Sequence, residues 1–235
     1  MIRQAIVLAG GFGTRLQTVV QDLPKPMALI NNRPFLDYQL SYLKSFGIKH
    51  IIFSVGYKYE HIVGFFGRQY NGMRIEYAVE KEPLGTGGGI KNAFQWVNSG
   101  AALVVNGDTL FEVNLKDFYN KHQQSAAILS LALRNINDVS RYGIVETDTK
   151  HRIIGFAEKG AKTGQGQING GVYLIEKRFF ENHHFESKFS MEKDAFEKYY
   201  KSQNFFGFPY DSYFLDIGIP EDYKKAQDEF RKLGY

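Results

Sequence analysis

The 235-residue sequence contains no cysteine. That absence excludes disulfides, thiol nucleophiles and thiolate metal sites together, so any metal must sit on oxygen or imidazole. No uninterrupted apolar stretch approaches the roughly 18 residues of a membrane span. The first strand-like run, residues 4–9, begins too early for the apolar core of a signal peptide to precede it, which makes the cytoplasm the expected compartment. There is no arginine-rich block, internal repeat, low-complexity tract or linker, and 29 basic against 25 acidic residues leave a net charge of only +4. Such an excess suits an anionic small substrate and gives no argument for nucleic acid or a membrane as partner. With 43% hydrophobic, 23% charged and 15% aromatic residues the composition is that of a globular protein, and the length fits one domain, residues 1–235.

Apolar runs of strand length alternate with amphipathic helical segments through the first half, the pattern of an α/β protein with a doubly wound, mostly parallel, Rossmann-like sheet. Strands are expected at residues 4–9, 50–55, 74–79 and 101–106, and helices at 35–46, 59–66 and 86–97, with Gly47 as a C-cap. Beyond a helix at 115–124 the texture changes. Residues 127–133, 143–147, 153–158 and 167–175 are strand-like with few helices between them, which predicts an extension of the sheet and a strand-rich lid over its edge. A last helix, 220–233, opens on Pro220 with Glu221 and Asp222 in its first turn.

After the first strand comes Leu8-Ala9-Gly10-Gly11-Phe12-Gly13-Thr14-Arg15-Leu16, followed by Pro24-Lys25-Pro26-Met27. Glycines at a strand end let backbone N–H groups approach a phosphate, and an adjacent arginine can neutralise its oxygens; taken alone, the run is also compatible with a tight turn. A dinucleotide fingerprint needs glycine where Leu16 stands, and a Walker loop needs Gly-Lys-Ser/Thr, so neither is present. Asn106-Gly107-Asp108 ends an apolar run, where a ligand-facing carboxylate belongs in an open α/β sheet, although an aspartate capping the next turn fits the same stretch. Phe214-Leu215-Asp216-Ile217-Gly218 sets a second acid among apolar residues just before the last helix. His183-His184 reads as a surface loop pair.

Taken as one string, Leu-Ala-Gly-Gly-x-Gly-Thr-Arg-Leu with Pro-Lys-Pro-Met downstream resembles the sugar-1-phosphate nucleotidylyltransferases, and the resemblance extends over nearly the whole chain. It implies a nucleotide-binding part at about residues 1–112 and a sugar-phosphate-binding part at about 113–235. It further implies that Leu8, Ala9, Gly10, Gly11 and Gly13 hold a nucleoside triphosphate, that Arg15 meets its pyrophosphate portion and Lys25 the phosphate at the reaction centre. Asp108 and Asp216 look like the family's pair that holds one Mg²⁺, a cation that commonly takes one or two carboxylates with phosphate oxygens and water. Phe214 stands where tryptophan is common, Ile219 where threonine often follows, and Gln17-Thr18-Val19 replaces the frequent Pro-Leu-Thr. None of these departures removes a charged group. On the acceptor side, Tyr142-Gly143-Ile144-Val145, Phe156-Ala157-Glu158-Lys159 and Ile168-Asn169-Gly170-Gly171-Val172 match family strings. By resemblance Lys159 neutralises the sugar phosphate, Glu158 and Asn169 bond sugar hydroxyls, and Gly143 and Gly170 lie against the ring. Read alone, Glu158-Lys159 is a solvated charge pair and Asn169-Gly170 a hairpin turn.

The reaction implied is nucleotidyl transfer: a sugar-1-phosphate oxygen attacks the α-phosphorus of a nucleoside triphosphate and pyrophosphate leaves. Glu80, five residues before Gly85, stands where the family's uracil and thymine users commonly carry glutamine. A carboxylate accepts the adjacent N1–H and N2 amino donors of guanine but has no donor for uracil, so GTP is the expected nucleotide, with Gly85 closing on the base or ribose. Val19-Val20-Gln21-Asp22-Leu23-Pro24-Lys25-Pro26-Met27 and Glu80-Lys81-Glu82-Pro83-Leu84-Gly85-Thr86-Gly87-Gly88 resemble the branch that guanylylates a heptose 1-phosphate. The same chemistry on mannose 1-phosphate, or uridylyl transfer to an amino-sugar phosphate, stays open. A non-catalytic sugar-nucleotide sensor is expected to lack Arg15, Lys25 or an aspartate, and all four are present. The sequence leaves the oligomeric state open, a homo-oligomer included.

Overall fold

A computed structural model describes residues 2–11, 16, 20, 22–140, 142–157 and 163–235. Its centre is a ten-stranded sheet in which Met73–Val79, His50–Val55, Gln4–Leu8 and Ala101–Asn106 lie side by side and parallel. In the inner three, Gln4–Leu8, His50–Val55 and Ala101–Asn106, burial is nearly continuous because both faces are covered, whereas Met73–Val79 alternates, with Arg74 and Val79 exposed. Ala5, Ile6, Val7, Ile51, Ile52 and Phe53 are all fully buried. Burial of each large side chain contributes roughly 1.5–3 kcal/mol, enough for such a run to dictate a central strand.

Helix Phe35–Ser45 covers one face with Phe35, Leu36, Leu40 and Leu43, and ends where Gly47, at φ +82°, donates its N–H to the Lys44 carbonyl. Glycine serves there because a left-handed residue ends the helix at little cost. Helix Gly85–Ala93 covers the opposite face, continuing as a 3₁₀ turn, Phe94–Trp96, instead of the single helix expected at 86–97. This helix starts on a glycine-rich run of poor helix formers. A distant segment completes it: the Phe189 carbonyl accepts from Gly87 and Gly88, and Phe189 N–H donates to the Leu84 carbonyl. A Cβ on Gly88 would stand 2.5 Å from the Ser187 carbonyl oxygen, so any side chain there would push the segment away.

The second half extends the same sheet. Strand Gly166–Glu176 runs antiparallel to Ala101–Asn106 and to Leu129–Ile136, and Phe205–Tyr210 closes that edge parallel to Leu129–Ile136. Phe205–Tyr210 carries Pro209, which only an edge position tolerates well. The expected strand 127–133 begins at Leu129 and runs on to Ile136. Asn169 to Tyr173 is a register shift within one long strand, not a hairpin turn, and Gly171 takes φ +72° inside it. Before the shift the strand pairs with Ile144–Thr147, which in turn pairs with Ile153–Ala157, forming the expected lid. The final helix is Pro220–Glu229, followed by a 3₁₀ turn at Phe230–Lys232. Among the described residues no helix is long and apolar enough to cross a membrane.

Candidate active site

Strand order reverses between Gln4–Leu8 and Ala101–Asn106, and ligands of open α/β sheets bind beyond the carboxyl ends of strands at such a point. Leu8 pairs with Asn106 there, so Gly10 and Gly11 leave the sheet as neighbours of Asp108. Gly107 N–H donates to the Leu8 carbonyl, and a Cβ on Gly107 would come within 2.6 Å of that oxygen. Beyond these ends lies a cavity of about 440 Å³, whose wall includes Leu8, Gly10, Gly11, Lys25, Glu80 and Asp108. Ala9 is buried and is not part of the wall.

A two-stranded ribbon, Thr109–Phe111 with Phe214–Asp216, brings the two aspartates together, and Ile217 N–H donates to the Asp108 carbonyl. Lys25 Nζ lies 2.6 Å from Asp108 Oδ2 and 3.6 Å from Asp216 Oδ1. Burial and the Asp108 carboxylate push the Asp216 carboxyl above its ordinary range, and Lys25 pulls it back. Asp216 Oδ1 is buried without a hydrogen bond. Two crowded carboxylates with an unsatisfied oxygen fit a hard divalent cation. No cluster of three or more Asp, Glu or His side chains suited to a metal occurs among the described residues, so the remaining positions would fall to phosphate oxygens and water.

Glu80 does not point to solvent. Its Oε1 accepts from Ser54 Oγ at 2.9 Å and its Oε2 from Leu84 N–H at 3.1 Å, and Gly10 and Gly89 leave the space its carboxylate fills. Gly85, at φ +73°, completes that wall. A second cavity, about 490 Å³, opens under the lid between Gly143, Phe156, Asn169 and Phe196. Asn169 is partly committed: its amide donates to Tyr173 Oη at 2.9 Å and its carbonyl accepts from Gly171 N–H, leaving one N–H for a ligand. Gly170 packs against Phe111 and faces neither cavity. Gly13, Arg15, Glu158 and Lys159 lie outside the described residues. The His183-His184 pair sits in a loop, where His183 Nδ1 pairs with the Phe179 carbonyl.

Three residues that no motif marks belong to the site. Gln39, buried in helix Phe35–Ser45, donates from Nε2 to the carbonyls of Asn106 and Thr109, the two ends of the turn that carries Asp108. Ser54 anchors Glu80, and Glu192 joins Thr86 to Ser190. Gln39 alone left a trace, a polar side chain one helical turn from Phe35 on the apolar face.

A doubly wound sheet with Gly10 and Gly11, a lysine and two aspartates at its switch point, and a second cavity under a strand lid, defines a nucleotide-handling transferase. Residues 4–232 match the Nucleotidyl transferase family, and the chain belongs to it. It is 48% identical, over 97% of this chain and 98% of the relative, to D-glycero-alpha-D-manno-heptose 1-phosphate guanylyltransferase of Aneurinibacillus thermoaerophilus. It is 46% identical to the protein of that name in Campylobacter jejuni, covering 94% of this chain and 96% of the relative. Among solved structures, HddC from Yersinia pseudotuberculosis complexed with GMP-PN superposes with a TM-score of 0.87 at 37% identity, covering 97% of this chain and all of that one.

Proposed function

We propose that the protein transfers GMP from GTP to D-glycero-α-D-manno-heptose 1-phosphate, releasing pyrophosphate and forming the GDP-sugar. The observation that carries the reaction class is the Lys25 ammonium held between Asp108 and Asp216 on the wall that also presents Glu80. Near-full-length relatives of that name support the choice of guanine and heptose. The second cavity, at about 490 Å³, has room for a seven-carbon sugar.

Bound Mg²⁺, held by Asp108 and Asp216, would supply charge neutralisation on the phosphates. No protein nucleophile is required. Lys25 meets negative charge that grows at the transferring phosphorus, and Arg15 is expected to meet the pyrophosphate. Lys25 neutralises the two carboxylates that would hold the cation, and with those carboxylates so engaged its ammonium would be available to phosphate. Glu80, held by Ser54 and Leu84, accepts the N1–H and N2–H of guanine without reorganising. Asn169 is left with one donor for a sugar hydroxyl, while Glu158 and Lys159 are the expected partners of the ring and its phosphate.

Pyrophosphate release from each pair of nucleoside triphosphate and sugar 1-phosphate tests the reading. GTP should exceed UTP in kcat/KM by at least about tenfold, since a carboxylate facing a uracil carbonyl leaves charged and polar groups unpaired. In Glu80→Gln that preference should collapse. An unchanged ratio removes Glu80 as base reader, and efficient use of hexose phosphates with rejection of the heptose removes the sugar assignment.

A further inference from the structure

Glu192 is the one described residue on the walls of both cavities. It stands near the start of the irregular helix Met191–Phe196, whose N-cap is Ser190. Its Oε2 accepts from Thr86 Oγ1 and from Ser190 Oγ, both at 2.8 Å, and Thr86 Oγ1 in turn accepts from Met191 N–H. The carboxylate is therefore fixed by one oxygen. Among the described residues Oε1 accepts no hydrogen bond, and a carboxylate oxygen has room for two donors.

Both substrates of the proposed reaction are polyanions, so a carboxylate at the seam repels every phosphate that settles beside it. It is compatible only with the uncharged, donor-rich parts of the ligands. In the reading above, guanine's donors are taken by Glu80. What remains is hydroxyl. On the acceptor side the seam continues into Asn169, whose free N–H suits a neighbouring oxygen of the same ring. At the other end Lys25, beside the two aspartates that would hold a cation, suits phosphate. An acceptor lying between these ends is sorted by charge: phosphate toward the lysines, Lys25 and the Lys159 expected to neutralise it, and hydroxyls toward Glu192.

We propose that Glu192 is an acceptor-binding residue whose Oε1 takes the hydroxyl donors of the sugar 1-phosphate, setting its orientation and selecting among ring configurations. This rests on the transferase reading above and adds a residue to it. The test measures binding of D-glycero-α-D-manno-heptose 1-phosphate and its monodeoxy analogues by calorimetry, alongside steady-state kinetics. Wild type, Glu192→Ala and Glu192→Gln are compared. The amide of Glu192→Gln keeps an oxygen for Thr86 and Ser190, so it guards against an alanine variant that fails to fold.

In Glu192→Ala the Kd and KM for the heptose phosphate should rise about tenfold or more, as for loss of a hydrogen bond to a charged group, while the KM for GTP stays within about twofold. One deoxy analogue should bind wild type weakly and lose nothing further in the variants. A rise confined to the KM for GTP would move Glu192 to the ribose and overturn the proposal. Equal losses for every analogue in every protein would overturn it too, leaving Glu192 a clasp between Thr86 and Ser190. A wild type that binds the sugar phosphate through Glu192 yet releases no pyrophosphate sinks the transferase reading alone; normal turnover with unaltered acceptor binding in the variants sinks this one alone.

Discussion

Replacing Gln39 by methionine should loosen the turn that carries Asp108 without touching any substrate. Gln39 is 2% exposed, and its Nε2 spans the turn with bonds of 2.8 Å to the Asn106 carbonyl and 2.7 Å to that of Thr109. Its Oε1 is buried without a hydrogen bond. The native side chain thus already carries a desolvation cost of roughly 1–3 kcal/mol on that oxygen, which methionine, of similar length, would remove. Against this, two carbonyls lose their donor, that of Thr109 buried and that of Asn106 part-buried, at about 1–3 kcal/mol each where no water replaces it. The net loss should be about 1–2 kcal/mol, a fall in Tm of about 2–8 °C for a chain of this size. Both ends of the turn that carries Asp108 would then lose their tie to helix Phe35–Ser45, and groups that orient a metal ligand commonly affect metal affinity by about 10–100-fold. Half-maximal activation by Mg²⁺ should therefore shift upward by about tenfold, with kcat largely recovered at saturating Mg²⁺. The assay is pyrophosphate release titrated with Mg²⁺, beside a melting curve in chelator. A lowered Tm with unchanged Mg²⁺ activation would refute the positioning argument, and an unchanged Tm would refute the balance of hydrogen bonds itself.

Asp108→Asn and Asp216→Asn should each lower turnover on the order of a hundredfold or more at limiting Mg²⁺. Because burial and Asp108 disfavour the ionised Asp216, the metal-free Asp216→Asn protein should melt no lower than wild type; a large drop would contradict the crowding of the two acids. Lys25→Ala should reduce kcat more than it raises either KM, since the ammonium is aimed at charge that develops during transfer, and the reverse split would assign Lys25 to ground-state binding. Burial pushes the His122 imidazole below its ordinary 6.5, with Glu176 opposing and Arg178 adding to the shift. The unfolded chain then binds more protons between the folded value and 6.5, so stability should rise with pH across that window and be lost as pH falls through it. His122→Gln should flatten the slope of chemical-denaturation stability against pH there, and an unchanged slope would remove His122 as its source.

The parallel half of the sheet was legible because strands buried on both faces read as near-continuous apolar runs, and Gln4–Leu8, His50–Val55 and Ala101–Asn106 do so apart from Gln4, His50, Ser54 and Asn106. Helix Phe35–Ser45 announced itself by its apolar stripe and by Gly47. Phe205–Tyr210 did not: a glycine and a proline in six residues argue against a strand unless the edge position is already known. Helix Gly85–Ala93 opens on a glycine run of poor helix formers, and the Phe189 carbonyl that accepts from Gly87 and Gly88 comes from far along the chain, where no local pattern marks it. The seam at Glu192 is hidden for the same cause, its bond to Thr86 spanning 106 residues.

Local strings named the chemical groups of the site but not the distances between them, because those distances are set by segments that carry no motif. Lys25 is followed by the hairpin Leu29–Ile30 with Arg33–Pro34, and Asp216 is followed by helix Pro220–Glu229. The helix is tied to the hairpin. Tyr223 Oη and Gln227 Nε2 both donate to the Leu29 carbonyl, at 2.7 and 2.9 Å, while Gln227 Oε1 accepts from Asn31 N–H. The chain beyond the lysine is thereby fixed to the chain beyond the second aspartate, and the ribbon Thr109–Phe111 with Phe214–Asp216 fixes that aspartate to the first. Each bond is to a backbone group or a neutral side chain, which leaves no signature in charge or periodicity. The 2.6 Å between Lys25 and Asp108 is thus a property of three packed segments, and a sequence that kept every motif but lost Tyr223 and Gln227 would keep the charges while losing the geometry that makes them a site.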